Sequence, residues 1–379
     1  MMPKKKILFI ITGLSVGGAE MMLLKLLQQL ERDVFSPVVI SLTSCGEIGR
    51  KLLTMGIPVL SLDMKLGFKV FFKLYHLKCL IKSINPDIVH TWMYHADLIG
   101  GVCARFAGVN KVLWSVRHSE ISFKYNNKIT MLLVRLCAVL SYIVPQKILF
   151  CSNTSLCNHV RIGYQRAKSF VIPNGFDLAR FDINLSMRQS VRAELNLAPD
   201  VQLVGLIARD NPQKNHSGFI SAAKQINQLL PDVHFLLVGN NIDINNTRIV
   251  RQVVDAGLAN RVHLLGRRDD IPRLMASLDI LASSSIGEAF PNVLGEAMAS
   301  GVPCVVTDVG DSADIVGETG RIVPAGDMSG LARNICELLS LPSVERQALG
   351  AQARERLHQH YELNMIVQQY EGTYRTLLR

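Results

Sequence analysis

The chain has 379 residues, 49% of them hydrophobic and 19% charged, a composition that excludes a disordered or fibrous protein and supplies the length of two ordinary domains. Its net charge of +10 is unevenly spread: residues 1–180 hold 23 Lys and Arg against 9 Asp and Glu, and residues 181–379 hold 18 against 22. The basic first half points to an anionic partner, for which nucleic acid, a membrane surface and a phosphorylated glycolipid are candidates beside an ordinary soluble basic surface. The eight cysteines include no C-x-x-C pair and read as small buried hydrophobes in a reducing compartment.

The chain opens with a basic hexapeptide and the apolar run Ile7–Ile11. The run ends at Thr12-Gly13 with no small-residue cleavage site behind it, so a first strand is expected rather than a signal peptide. Further apolar runs at 37–42, 57–62, 87–90, 111–116, 147–151 and 169–172 alternate with longer stretches of helical spacing, the pattern of a parallel α/β sheet. The first turn, Gly13 to Glu20, places Gly17 and Gly18 where a strand passes into a helix, so that backbone can approach a ligand. No G-x-G-x-x-G is present, which argues against a dinucleotide-dependent oxidoreductase.

Lys65 to Lys82 combines five lysines with Phe, Leu and Tyr. Lys65, Lys69 and Lys73 share one helical face and Val70, Leu74, Leu77 and Ile81 another, which suits either an ordinary surface helix or one lying on an anionic bilayer. His95, Arg117 and His118 each follow a predicted strand, at the end where open α/β sheets bind ligands. Met131 to Val144 is too short and too interrupted for a membrane span and reads as a core helix. The turn Pro173-Asn174-Gly175 closes the first half, and the polar stretch 185–200 reads as the connection to a second domain.

The second half repeats the alternation with strands near 201–208, 233–239, 262–265, 278–282 and 303–307. Arg209 and Lys214 follow its first strand, a guanidinium fork and a point charge suited to a diphosphate. Arg267 follows the third. After the fourth comes S-I-G-E-A-F-P-N-V-L-G-E-A-M-A-S-G, residues 285–301, in which Pro291 is read as the first helical residue and Gly301 as the stop. Glu288 then lies in a loop and Glu296 inside the helix, beside an N-terminus that attracts anions.

The G-E-A-F-P-N-V-L-G-E stretch resembles the E-x7-E motif of family 4 retaining glycosyltransferases. The Gly17-Gly18-Ala19-Glu20 turn, the Arg209-to-Lys214 spacing, the Ile172 to Asp177 turn and Thr307 to Val316 are similar to further family segments, with departures at Ala208, Asn215, Asp311 and Asp314. The resemblance implies the GT-B fold, α/β with two Rossmann-like domains whose parallel sheets face across an interdomain cleft. Residues 1–185 would form the acceptor domain and 186–360 the nucleotide-sugar domain, and 361–379 a helix returning to the first. It further implies transfer, with retention, from a nucleotide-diphosphate sugar, expected to be a UDP-sugar, to a glycan or polyisoprenyl-diphosphate-linked acceptor in capsule, O-antigen or exopolysaccharide synthesis.

In that reading His118 and Glu288 are the catalytic residues. Gly17, Gly18, Arg209, Lys214, Arg267, Phe290, Pro291, Asn292 and Glu296 bind the donor, and His95 and Arg117 lie on the acceptor side. No cofactor and no metal are expected: there is no D-x-D pair and no clustered ligand set. A cytoplasmic protein on the inner face of the membrane fits this acceptor, with no nucleic acid as partner. A sugar-nucleotide epimerase, a phosphorylase, and a non-catalytic glycan- or nucleic-acid-binding protein stay open as alternatives.

Overall fold

The structure is a computed structural model and describes residues 3–64, 70–119, 128–181 and 185–379. Lys65 and Lys69 of the expected basic helix lie outside the described residues. The chain divides into two units, Met1–Gly175 with Leu363–Arg379, and Phe176–Glu362.

The first unit runs β1 (Lys5–Ile11), α1 (Gly18–Gln29), β2 (Phe35–Ser41), α2 (Gly46–Thr54), β3 (Val59–Ser61), α3 (Val70–Ile84), β4 (Ile88–Trp92), α4 (Tyr94–Phe106), β5 (Val112–Val116), α5 (Lys128–Leu140), β6 (Lys147–Phe150), α6 (Asn153–Arg161) and β7 (Ser169–Val171). Its parallel sheet has the order β3-β2-β1-β4-β5-β6-β7, with Phe9 of β1 level with Val39 on one side and His90 on the other. Ile7, Phe9 and Ile11 join the core cluster that includes residues of α1 and α2, whereas Leu8 and Ile10 join the one that includes Leu77, Ala104 and Val134 of α3, α4 and α5. Burial on both faces is why these strands read as unbroken apolar runs rather than alternating ones.

The second unit continues with α7 (Leu185–Glu194), β8 (Leu203–Ile207), α8 (His216–Leu229), β9 (His234–Val238), α9 (Thr247–Asp255), β10 (Val262–Leu264), α10 (Ile271–Ser277), β11 (Ile280–Ser283), α11 (Asn292–Ala299), β12 (Cys304–Thr307), α12 (Ser312–Val316), β13 (Arg321–Val323), α13 (Met328–Ser340) and α14 (Ser343–Tyr361). Its sheet order is β10-β9-β8-β11-β12-β13, again parallel. The edge strand β13 is absent from the sequence reading, because three residues between Gly320 and Pro324 carry no periodicity to detect.

The units part at 175/176, ahead of the boundary read at 185/186. The physical reason lies in two adjacent residues. A Cβ on Gly175 would meet Leu363, which belongs to the first unit, at 2.8 Å from Cδ1. Phe176, fully buried, donates its N–H to Tyr361 O at 2.9 Å and pairs with Glu362 in the second. The polar stretch read as a connection is therefore part of the second unit, in which α7 is tied down by ion pairs. The final helix, α15 (Leu363–Leu378), packs into the first unit. Tyr370 and Tyr374 are fully buried there, Tyr374 Oη lies 2.9 Å from His90 Nδ1, and Glu371 accepts the N–H of Glu31 at 2.9 Å.

Asp279, just before β11, organises the second unit. Its Oδ2 accepts from Leu203 N at 2.8 Å and from Arg192 Nη2 at 3.0 Å, and its Oδ1 accepts from Arg188 Nη2 at 2.8 Å. Arg192 is 2% exposed, so its charge depends on this partner. We predict that Asp279→Ala destabilises the protein by about 3–5 kcal/mol, because a buried guanidinium is left unpaired. Urea unfolding followed on the isolated variant checks this, and a loss below about 1 kcal/mol would mean that water replaces the carboxylate.

Candidate active site

In the second unit the ends of β8 and β11 converge through their loops. After β8, Asn211 accepts from Gln213 N at 2.9 Å and starts the 3₁₀ turn Pro212–Lys214. Asn215 follows with φ +50 and caps α8, its Oδ1 accepting from Gly218 N at 3.1 Å. Asparagine tolerates this left-handed conformation, so the departure from the family pattern at Asn215 leaves the turn intact. Ser284 Oγ donates to the carbonyls of Lys214 and Asn215 at 2.9 and 3.1 Å, and Ile286 N donates to Gln213 O at 2.8 Å.

The consequence is a close polar group. Lys214 Nζ donates to Glu288 Oε1 in an ion pair, and Ser285 Oγ donates to the same oxygen at 2.7 Å. Both side chains are largely withdrawn from water, 22% exposed for Lys214 and 10% for Glu288. Two residues brought together from the sequence reading are therefore joined by one it passed over. Ser285 stands three positions before Glu288 in the quoted motif, and that spacing was the available signal.

The loop 285–291 is held from behind. Thr307, ending β12, donates its hydroxyl to the carbonyls of Ser283 and Ser285, and Asp311 N donates to Ala289 O at 3.1 Å. Gly310 has φ +59, and a Cβ there would stand 2.6 Å from the carbonyl oxygens of both Glu288 and Ala289. Only glycine meets both demands. Helix α11 begins one residue later than expected: Pro291 is its N-cap, in extended conformation, and Asn292 its first residue. Pro291 has no side chain able to cap, so the entry is shaped by packing instead. The ring of Phe290 stacks on Phe176 at 6.2 Å and meets Tyr361 edge-on at 5.7 Å. A Cβ on Gly295 would collide with the Phe176 ring at 2.2 Å. Phe290 thus serves the aromatic seam with its ring. Glu296 is half-buried on α11, and α11 ends before Gly301, whose φ is +68.

Arg209 follows β8 and is exposed. Its neighbour Asp210 is taken up by Arg248, Asn241 and Asn246 at 2.5, 2.9 and 2.9 Å, which hold its carboxyl below the ordinary range despite the opposing effect of its burial. Arg267 is exposed beyond β10 and lies 3.5 Å from Asp269.

In the first unit, Gly17 is the N-cap of α1 and Gly18 its first residue, with no side-chain cap on that end. His118 is exposed after β5 and stacks on Tyr94 at 5.7 Å between centroids. Tyr94 is fixed in turn: its hydroxyl lies 2.6 Å from His159 Nε2, while His159 Nδ1 lies 2.7 Å from Ser155 O. Since the carbonyl can only accept, His159 carries its proton on Nδ1 and accepts from Tyr94. Burial pushes its pKa down to about 4, which keeps it neutral and the platform intact. Ser155 Oγ also donates to the backbone carbonyl of His118. Neither Tyr94 nor His159 was singled out from the sequence, because each looks like an ordinary helix residue until the sheet brings them together.

His95 sits exposed on the first turn of α4. Arg117 departs from its expected acceptor-side place. It is 8% exposed, lies 3.9 Å above the Trp92 ring, and donates to Asn174 Oδ1 at 3.0 Å and to Tyr370 Oη. Its guanidinium is held inside the first unit, where it fastens α15.

Residues 16–180 match the Glycosyltransferase Family 4 family and residues 198–341 match Glycosyl transferases group 1. The chain is 30% identical over 256 residues to the UDP-Gal:alpha-D-GlcNAc-diphosphoundecaprenol alpha-1,3-galactosyltransferase of Escherichia coli, a match that spans 67% of this chain and 65% of that one. It is 26% identical to the capsular polysaccharide biosynthesis glycosyltransferase CapM of Staphylococcus aureus, over 80% and 82% of the two chains. The crystal structure of Anabaena HepE in complex with UDP superposes with a TM-score of 0.85 at 25% identity, covering 98% of this chain and 100% of that one. With two parallel Rossmann-like sheets and these matches along both halves, the chain belongs to the family 4, group 1 glycosyltransferases and has their GT-B architecture.

Proposed function

We propose that this protein is a retaining glycosyltransferase that moves a sugar from a UDP-sugar to a polyisoprenyl-diphosphate-linked glycan in the synthesis of a cell-surface polysaccharide. The observation that carries the reading is the group formed by Lys214, Glu288 and Ser285, which sets a cation and a carboxylate side by side at the carboxyl end of the second sheet. The E. coli relative acts, by its name, on a UDP-sugar and a diphosphoundecaprenol-linked acceptor, and HepE binds UDP. Both support the choice of substrates. No helix among the described residues is long and apolar enough to cross a membrane. In this reading the lipid-linked acceptor is met at the cytoplasmic membrane face.

In this mechanism Lys214 and Arg209 neutralise the leaving diphosphate, assisted by the N-terminus of α11 at Asn292. Glu288 accepts hydrogen bonds from donor-sugar hydroxyls and Glu296 from the ribose. The bond between the anomeric carbon and the β-phosphate oxygen breaks, the acceptor oxygen bonds to the anomeric carbon on the same face, and the acceptor proton passes to the departing phosphate oxygen. His118, stacked on Tyr94, is the first unit's candidate for contacting the reacting sugar. With charge supplied by Lys214 and Arg209, the reaction proceeds without a metal ion.

The test is product mass spectrometry with a panel of UDP-sugars and a synthetic polyprenyl-diphosphate-linked sugar. UDP release that requires the acceptor is expected; acceptor-independent conversion of one UDP-sugar into another would make the protein an epimerase. In the same assay Glu296→Ala should raise KM for the donor with kcat little changed, since a ribose contact stabilises substrate and transition state alike, whereas Glu288→Ala should lower kcat. Equal changes in both parameters for both variants would contradict these roles. Lys214→Ala should lower kcat/KM by about 2–4 kcal/mol of transition-state stabilisation, and an unchanged value would remove Lys214 from the donor site.

A further inference from the structure

Helix α5 is apolar on more than the side its fold requires. Met131, Val134, Cys137 and Ala138 are buried on it. Ile129, Leu132, Leu136 and Val139, followed by Ile143 beyond its end, recur at alternate intervals of three and four and so share another side. They are 66, 69, 44, 69 and 66% exposed. The expectation of a core helix over 131–144 is thus correct for one side only. A helix apolar all round belongs in a core or at a lipid boundary, and here the second stripe is left to solvent. It spans roughly 20 Å at the ordinary helical rise.

The charge around this stripe chooses its occupant. Helices α3, α4 and α5 pack in that order, side by side. Along them the sole carboxylate among the described residues is Asp97, which is fully buried. Their cations are Lys73, Lys78, Lys82, Arg105, Lys128 and Arg135. Lys73 is held at home by the carbonyls of Leu62 and Asp63, so the charges flanking the α5 stripe, Lys128 and Arg135, matter more than the lysine face noted in the sequence. Exposed aromatic residues accompany them: Phe71, Phe72 and Tyr75 on α3, Phe106 at the end of α4 and Tyr142 after α5. Two copies related by a twofold axis would bring this basic surface against itself, whereas anionic headgroups satisfy the cations and acyl chains satisfy the stripe.

We propose that the first unit docks on an anionic lipid bilayer through α5, with Ile129, Leu132, Leu136, Val139 and Ile143 entering the boundary between headgroups and acyl chains and Lys128 and Arg135 meeting lipid phosphates. This rests on the membrane-face reading above and names the surface that would make the contact.

The experiment is co-sedimentation of the full chain with vesicles of phosphatidylglycerol and phosphatidylcholine, and of phosphatidylcholine alone. Binding to the anionic vesicles, weakened by salt, is expected, and L132E combined with V139E should reduce partitioning by roughly tenfold or more. The control pair I244E and V344E, at exposed apolar positions of the second unit, should leave it unchanged. Thermal melting verifies that the α5 variant folds. As an independent readout, an environment-sensitive fluorophore on L132C, made in a chain whose exposed Cys79 and Cys157 are changed to serine, should shift to the blue with anionic vesicles. If the parent chain binds but neither readout involves α5, this docking surface is wrong and the membrane reading stands. If the parent chain binds no vesicle, both fail. A dimer seen by light scattering and abolished by the α5 substitutions would make the stripe a protein interface and overturn the proposal.

Discussion

The contact between Lys214 and Glu288 is the constraint on which the second unit's site depends. A half-buried ammonium and carboxylate stay withdrawn from water only when each meets the other in good geometry and remaining hydrogen-bonding capacity is filled. The fold meets this by placing β8 and β11 side by side, so that the loops leaving them face each other. Ser284 and Ile286 then lock one loop to the other through backbone carbonyls, and Ser285 supplies a further donor to the carboxylate. The support extends to β12 and the loop after it, where Thr307 and Gly310 hold the back of the Glu288 loop. In the proposed reaction an arriving diphosphate would compete with Glu288 for the lysine, releasing the carboxylate toward sugar hydroxyls.

All the strands but edge strand β13 were legible because parallel strands buried on both faces leave long apolar runs, and the stop of α11 was legible from Gly301. The Lys214 and Glu288 partnership was foreshadowed only as two separate motif positions. Their meeting depends on strand order, which local spacing does not encode. The chain from exposed His118 through buried Tyr94 to buried His159 was invisible for the same reason, since its members lie on a loop and two different helices. Arg117 was misjudged because a cation at a strand end looks like a ligand contact until Trp92, Asn174 and Tyr370 are seen to enclose it. Likewise the boundary was placed late because polar composition at 185–200 resembles a linker, although Asp279 recruits those arginines into the second unit.

The first unit treats its two sheet faces differently. One is sealed by α1, α2 and the returning α15, whose tyrosines and Glu371 fill and pin it. The other is covered by α3, α4 and α5, which close the core but carry apolar side chains outward as well. Ordinary core packing explains the first arrangement completely. The second leaves a stripe whose composition suits an environment other than water, and the scarcity of carboxylates there gives the uneven charge of the sequence a location.

The proposed reaction is retaining transfer from a nucleotide sugar at a site built on Lys214 and Glu288. Proton NMR of the anomeric centre in the product formed from an α-linked UDP-sugar tests it most directly. Same-face attack gives an α-linked product from the first turnover, and a β-linked product would contradict it.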